Sequence, residues 1–476
     1  MKHKAQILLL LSIFFLAFPF SSVEAQSASD VVWTSSISYF STSTEPGVLT
    51  VVFYDGNNQY PSSGIPVNPK GSGEINIGST TLSPDFKGSA VLQSSVPLSS
   101  ITTQYAKTSS ANYAKAFYAG FDASEAGEKF YLATVRSNGI TDSTIGVQNV
   151  EASEITATLN FYERYTQTLA FSYEIDLPSS ASYIARLPEV PTYPGGYFDG
   201  SLVITAVMKD DPGTPARVVA TAVETQDSGR GVYSYKGIKE GSDVFYLPTA
   251  MCSYFNQTSY FAIQNIGDTA ANVIVDYYDK NAVLVGSMPE TEILPGAKLS
   301  TNPCEFGLLN GILGSAVVRS TNAVPIIAMG KVHTSNGLIT AFTGMSGGST
   351  QLAAPYVRWS PNTSTDYRTY IAVMNLGTEP ATNIVANYYD ASGNLVASHE
   401  LATVDTPLAP FTKANTNPDS ANALINGSFG YDGNGGAVEI ISDQPISAVV
   451  RNAIWPTHIS GIGIFGEDYN AVNVLP

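Results

Sequence analysis

The chain has 476 residues, with 40 acidic side chains against 23 basic ones and a formal net charge of −17. A surface of that sign repels phosphate backbones and anionic lipid, which argues against nucleic acid as a partner. Hydrophobic residues make up 44% and charged residues only 13%, so the chain is not of disordered type and is long enough for several packed cores.

The N-terminus reads as an export leader. Lys2 and Lys4 precede an apolar run from Ile7 to Phe20, and Val23-Glu24-Ala25 offers a small-residue exit. Cleavage after Ala25 is expected. The run is short of the roughly 20 residues a bilayer span needs. Losing residues 1–25 removes Lys2, Lys4 and Glu24, which takes the charge from −17 to −18. With no Cys near the cut, a lipoprotein is not expected. A secreted product, extracellular or on the cell surface, with no membrane span after cleavage, is the expectation.

Repetition dominates the rest of the chain. Leu49-Thr50-Val51-Val52-Phe53-Tyr54-Asp55 introduces a strand type that returns as Phe161-Tyr162-Glu163, Tyr277-Tyr278-Asp279 and Tyr388-Tyr389-Asp390. A second segment comes after it each time: Gly88-Ser89-Ala90, Gly200-Ser201-Leu202, Gly314-Ser315-Ala316 and Gly435-Gly436-Ala437. The acid and the glycine are 33, 37, 35 and 45 residues apart. Four ordered matches at similar spacing point to four tandem units. The expected organisation is a leader over 1–25 and units over 26–130, 131–243, 244–352 and 353–476.

The texture of each unit is β. The runs are β-branched and aromatic at strand length, and turns such as Asp55-Gly56-Asn57, Leu294-Pro295-Gly296 and Ser392-Gly393-Asn394 bound them. Seven to nine strands fit one unit, so the fold class is all-β: four tandem immunoglobulin-like or jelly-roll-like β-sandwich units. Asn265-Ile266-Gly267 and Asn375-Leu376-Gly377 suit turns with a positive φ at the glycine. In each Tyr-Tyr pair the two rings should face opposite sides of the sheet. The prolines of Val96-Pro97, Val324-Pro325 and Gln444-Pro445 suit strand ends.

Cys252 and Cys304 fall within one unit, and in an oxidising compartment they are expected to pair. Pro248 aligned with Pro355 puts Cys252 opposite Trp359, so the bridge is specific to the third unit. Asp243–Pro248 and Gln351–Pro355 connect successive units, and Asn470–Pro476 is a further copy of that connection. If each connection belongs to the unit before it, the protein is a self-contained rod. If it belongs to the unit after it, the first unit lacks a strand and the C-terminus holds a spare one, suited to head-to-tail assembly with other copies.

Catalytic patterns are sparse. His333, His399 and His458 lie in distant segments, without zinc spacing. Gly344-Met345-Ser346-Gly347-Gly348 matches a nucleophile elbow by spacing alone, with no helix expected after it. A glycoside hydrolase with a pair of carboxylates is the least favoured alternative. No cofactor is expected beyond calcium, for which Asp55, Asn57, Asp432 and Asn434 are candidate ligands on Gly-containing loops. Asn256, Asn362 and Asn426 are candidate glycosylation sites. Trp455 and His458 are the candidate ligand contacts, since tyrosine and tryptophan faces stack on sugars.

Asn-x-Gly, Tyr-Tyr-Asp, Leu-Pro-Gly and Gly-Ser-Ala-Val-Val together resemble the tandem β-sandwich repeats of exported bacterial surface proteins. The resemblance implies a non-enzymatic structural or adhesive protein, filament-forming in some arrangements, with itself, other surface proteins or carbohydrate as partners. A carbohydrate-binding array is the alternative.

Overall fold

The computed structural model describes residues 8–13, 32–56, 58–83, 86–107, 112–226, 231–306, 311–335, 338–361, 366–430, 436–455 and 465–474. Strand dominates, and one strand order occurs four times. Unit 3 shows it most plainly. Its eight strands are Val244–Cys252, Gln257–Asn265, Ala271–Asp279, Leu284–Ile293, Lys298–Thr301, Ile312–Ser320, Ile326–Thr334 and Ile339–Thr343. The first, sixth, third and fourth form one antiparallel sheet, and the fifth, second, seventh and eighth form the other. Second beside fifth and third beside sixth are the B–E and C–F pairings of immunoglobulin sandwiches. The outer strands differ from the ABED and CFG sheets, because the first, fourth and seventh have each moved to the opposite sheet.

The repeated residues have steric reasons. Tyr277 and Tyr388 are fully buried while Tyr278 and Tyr389 are half-exposed, as alternation requires. The next residue, Asp279 or Asp390, caps the turn by accepting from the Val283 or Asn394 backbone N–H at 2.9 Å. The glycine of the second segment lies against this strand. A Cβ on Gly88, Gly200 or Gly314 would strike the carbonyl of Tyr54, Tyr162 or Tyr278. The tyrosine strand and the glycine strand are therefore one motif seen from two sides of a ladder.

The Asn-x-Gly turns need a different account from the expected one. Neither Gly267 nor Gly377 has a positive φ. Asn265 stitches the turn, donating to the Thr269 and Ile293 carbonyls and accepting from the Gly267 N–H. Asn375 and Asn149 do the same in their units. The turn itself accepts another residue, since Glu151 stands at this place in unit 2; in unit 3 glycine fits because a Cβ at 267 would meet Val324.

Each connecting strand belongs to the unit after it. Val244–Cys252 pairs with Ile312–Ser320, and Ser349–Ala354 pairs with the first part of the long strand Ala437–Trp455. In unit 1 the equivalent place beside Ser89–Ser94 is taken by Leu8–Ile13, from the expected leader. At the other end, Val472–Asn473 folds back onto Leu352–Ala353 of its own unit. Cys252 and Cys304 form the expected disulfide. In unit 4, Trp359 is buried at the place aligned with Cys252, edge-on to Tyr370.

The units do not form a rod. Their eighth strands, Asn112–Ala119, Val232–Lys236, Ile339–Thr343 and Phe465–Asn470, contact one another in a closed cycle, unit 1 to 2, 2 to 3, 3 to 4 and 4 to 1. The molecule is a four-unit ring.

Candidate functional site

The seams and the axis of this ring hold most of the buried polar chemistry. One turn type makes every seam. It comes after the fourth strand and centres on a residue with positive φ: Lys70, Ser180, Gly296 or Phe411. Its carbonyl, or its side chain, reaches the sixth strand of the preceding unit. Ser89 donates to the Ser180 carbonyl at 3.2 Å, Ser201 to Gly296 at 2.6 Å and Ser315 to Phe411 at 3.0 Å. At the closing seam Lys70 bonds Glu439 at 2.8 Å, and the Ser72 N–H donates to the Ala391 carbonyl at 3.1 Å.

Lysines two residues beyond the turn reinforce two seams. Lys298 is fully buried and donates to Asp199 at 2.5 Å and Thr134 at 3.0 Å in unit 2. Lys413 donates to the Pro248 and Gly314 carbonyls of unit 3, both at 2.9 Å. Nearby, Lys331 of unit 3 donates to Glu224 at 2.9 Å and Tyr233 at 3.0 Å in unit 2, and Arg136 lies 3.0 Å from the same carboxylate. Burial pushes Lys298 down to about 8, against the pull of Asp199. Burial and the Arg136 charge push Lys331 down to about 7. Asp199 is held low by Lys298 and Arg136 although burial opposes this.

All four units meet through Glu467. Its carboxyl accepts from the Ser234 N–H of unit 2 at 2.9 Å and the Ala341 N–H of unit 3 at 2.6 Å. Ser234 in turn donates its hydroxyl to the Phe117 carbonyl of unit 1 at 2.8 Å. Burial, with the neighbouring Asp468 charge, raises the Glu467 carboxyl well above the usual range. Beside it, Arg451 holds Asp468 in a bidentate pair and reaches Gln257 of unit 3.

At one end the axis opens into a cavity of about 470 Å³. The four units line it with equivalent exit segments. Phe121, Ile238, Met345 and Val472 supply apolar walls, and Glu125 and Lys236, paired at 2.5 Å, supply a charged edge. The Gly344–Gly348 segment lies in this wall as a link between the strands Ile339–Thr343 and Ser349–Ala354. Ser346 is thus a linker residue, outside any strand-turn-helix elbow. Of the acids lining the cavity, Asp468, Glu125 and Glu240 each have a basic partner.

The residues singled out from sequence are spread apart. Asp55 ends an exposed hairpin opposite Asn58, while Asn57, Asp432 and Asn434 lie outside the described residues. Asn256 and Asn426 are exposed at left-handed turns, and Asn362 lies outside the described residues. Trp455 ends its strand with its backbone opposite Asp366; its side chain, and His458, are outside the described set. His333 packs on Tyr260 with ring centres 4.7 Å apart, and burial and Lys331 push it down to about 4. His399 shares a 2.7 Å hydrogen bond with Thr416. Among the described residues no group of three His, Cys, Asp or Glu is placed to hold a metal ion.

The seam residues were legible only as anomalies. Lys331 interrupts Ile326–Thr334, Glu224 interrupts Val218–Gln226 and Glu439 interrupts an otherwise apolar run. A charge at an inward position of a strand needs a partner, but the strand does not say which unit provides it.

No family model matches the sequence, and no curated protein matches it. Among solved structures the chain is similar to one titled "Biofilm associated protein - BSP domain", at 8% identity over 98% of this chain and 96% of that one, with a TM-score of 0.13. A likeness of that size carries no functional argument.

Proposed function

We propose that this is an exported, non-enzymatic structural protein, a four-unit ring that serves as a scaffold or adhesive element at the cell surface. The observation that carries the reading is where the polar chemistry goes. Lys70, Lys298, Lys331, Lys413, Glu224, Glu439 and Glu467 all hold one unit to another. Buried charge here serves assembly of the ring. The leader-like N-terminus and the disulfide support an oxidising destination. No helix among the described residues is long and apolar enough to cross a membrane.

The test is fractionation of expressing cells, with protease shaving and attachment assays on a deletion strain. Recovery outside the cell with weakened attachment supports the reading. Retention inside the cell, or turnover of a polysaccharide by the purified protein, ends it.

Carbohydrate binding is the second reading, and the axial cavity favours it. Ile238 and Met345, partly exposed beside the Glu125–Lys236 pair, offer an apolar face next to polar groups, the combination small-molecule sites use. A glycan panel read with the parent and Glu125→Gln, at a partly exposed position on the cavity edge, decides it: binding lost in the variant supports a site at the axis.

A further inference from the structure

Unit 2 carries a pair of surface rings that the repeat does not require. The hairpin between its third and fourth strands reads Glu163-Arg164-Tyr165, and the segment leading into its sixth strand reads Tyr197-Phe198-Asp199. The corresponding hairpin residues are Asp55-Gly56-Asn57, Asp279-Lys280-Asn281 and Asp390-Ala391-Ser392, none with an aromatic residue at the place of Tyr165. Asp85 and Gly311 stand at the place of Tyr197 in units 1 and 3. Tyr165 is 67% exposed and Tyr197 61%, so neither ring is spent on a core.

Both rings are nevertheless held in place. The Arg164 guanidinium lies 5.2 Å from the centre of the Tyr165 ring and donates to the Asp199 carboxylate at 3.2 Å, while the Arg164 backbone N–H donates to the Asp199 carbonyl at 2.9 Å. Glu163 caps the hairpin, accepting from the Tyr165 N–H at 2.7 Å and the Thr166 N–H at 2.6 Å. Gln167 anchors the same hairpin to unit 3, accepting from the Leu294 N–H at 2.8 Å. On the other side, Gly195 and Gly196 turn the chain with φ of 81° and 82°, and the Tyr193 hydroxyl donates to the Gly196 carbonyl at 2.7 Å. Phe198, next to Tyr197, packs edge-on against Phe161 and Phe171. The Tyr197 phenol is pushed up by partial burial, by the Asp199 charge and by the neighbouring Tyr165 phenol, which sets the two side chains together. Rings fixed before a ligand arrives lose little entropy when it binds.

We propose that Tyr165, Tyr197 and Arg164 form a surface binding site for a neutral polysaccharide. A pyranose ring has a face of C–H groups and a rim of hydroxyls. The exposed phenol rings cover the first, and the phenol hydroxyls with the remaining donors of the part-exposed Arg164 guanidinium meet the second. Charge selects a neutral ligand. Arg164 is paired with Asp199, Glu163 stands beside it, and the chain as a whole carries −17, so an anionic polymer is repelled. A protein partner needs about 800 Å² per side with an apolar centre, and two rings set among Glu163, Arg164, Thr166 and Thr168 supply no such centre. None of these residues lines the axial cavity, so a result at one place leaves the other standing.

The site deepens the adhesive reading by naming a ligand class, and purified protein tests it without reference to where the protein resides. Calorimetry uses neutral oligosaccharides of glucose, mannose, galactose and N-acetylglucosamine, with oligogalacturonate as the charged comparison. The expected result is binding to at least one neutral oligosaccharide. Tyr165→Ala and Tyr197→Ala should each weaken it about tenfold, the value of one aromatic face, and the double variant should abolish it. Phe255→Ala, at a ring 79% exposed in unit 3, should leave it unchanged. Equal urea midpoints for the parent and the tyrosine variants show that the loss is not unfolding. A parent that binds no neutral oligosaccharide overturns the site and leaves the export reading intact. Binding that survives both tyrosine substitutions, or that is confined to oligogalacturonate, overturns it as well.

Discussion

Lys298 allows the ring to be tested at one seam. Its ammonium is fully buried and bonded to Asp199 at 2.5 Å across the boundary between units 2 and 3. Lys298→Met keeps length and apolar packing but leaves Asp199 without its closest cation. Breaking a buried pair from one side costs about 3–5 kcal/mol, because the remaining charge is uncompensated. Arg164 stays at 3.2 Å from the same carboxylate on the more exposed side, so the loss should fall near the lower end, about 3 kcal/mol. The double variant Lys298→Met with Asp199→Leu replaces both charges with apolar volume and should recover most of that, giving a coupling of about 2 kcal/mol. Units 2 and 3 share one continuous apolar core, so the seam should be read in the main urea transition followed by tyrosine fluorescence. A single variant within about 0.5 kcal/mol of the parent refutes the reasoning. So does a double variant as unstable as the two singles added together.

Four further outcomes are expected. Lys70→Ala at the closing seam leaves the buried Glu439 without its cation and should cost about 3 kcal/mol in urea unfolding, with the radius of gyration unchanged, because Phe117 of unit 1 and Tyr356 of unit 4 lie in one apolar core. Cys252→Ser with Cys304→Ser, spanning a separation of 52 residues, should cost about 4 kcal/mol in the chain-entropy model, and melting under oxidising conditions reports it. Asn265→Ala should cost about 1–3 kcal/mol, because it strands the buried Ile293 carbonyl; urea unfolding measures it. Stability should depend on pH through Lys331. Its folded-state value, about 7, lies below the usual lysine value of about 10.4. The unfolded chain therefore binds more protons between those values, and stability from this group rises with pH across that window. Lys331→Met should flatten the rise in denaturation midpoints taken from pH 7 to 9.

Alternation, turn residues and the repeated pairs of segments determined by themselves that the chain is β throughout and fourfold repetitive. Those signals are local. A strand shows its period over a few residues, and Gly314 against Tyr278 is a contact that every unit must make to close its own sheet. The disulfide was legible for the same reason, since both cysteines lie within one unit. The ring was not legible. A rod and a ring use the same sandwich, and what separates them is whether the turn at Lys70 meets Glu439, two residues 369 positions apart. Nor was the function of the lone charges within apolar strands. Lys331 is unfavourable in its own strand and finds its carboxylate only across a seam, while Glu224 is met from both sides, by Arg136 of its own unit and Lys331 of the next. The position of the fourth unit beside the first depends on contacts among all four eighth strands, and such long-range packing leaves no periodicity in the chain for a sequence reading to find.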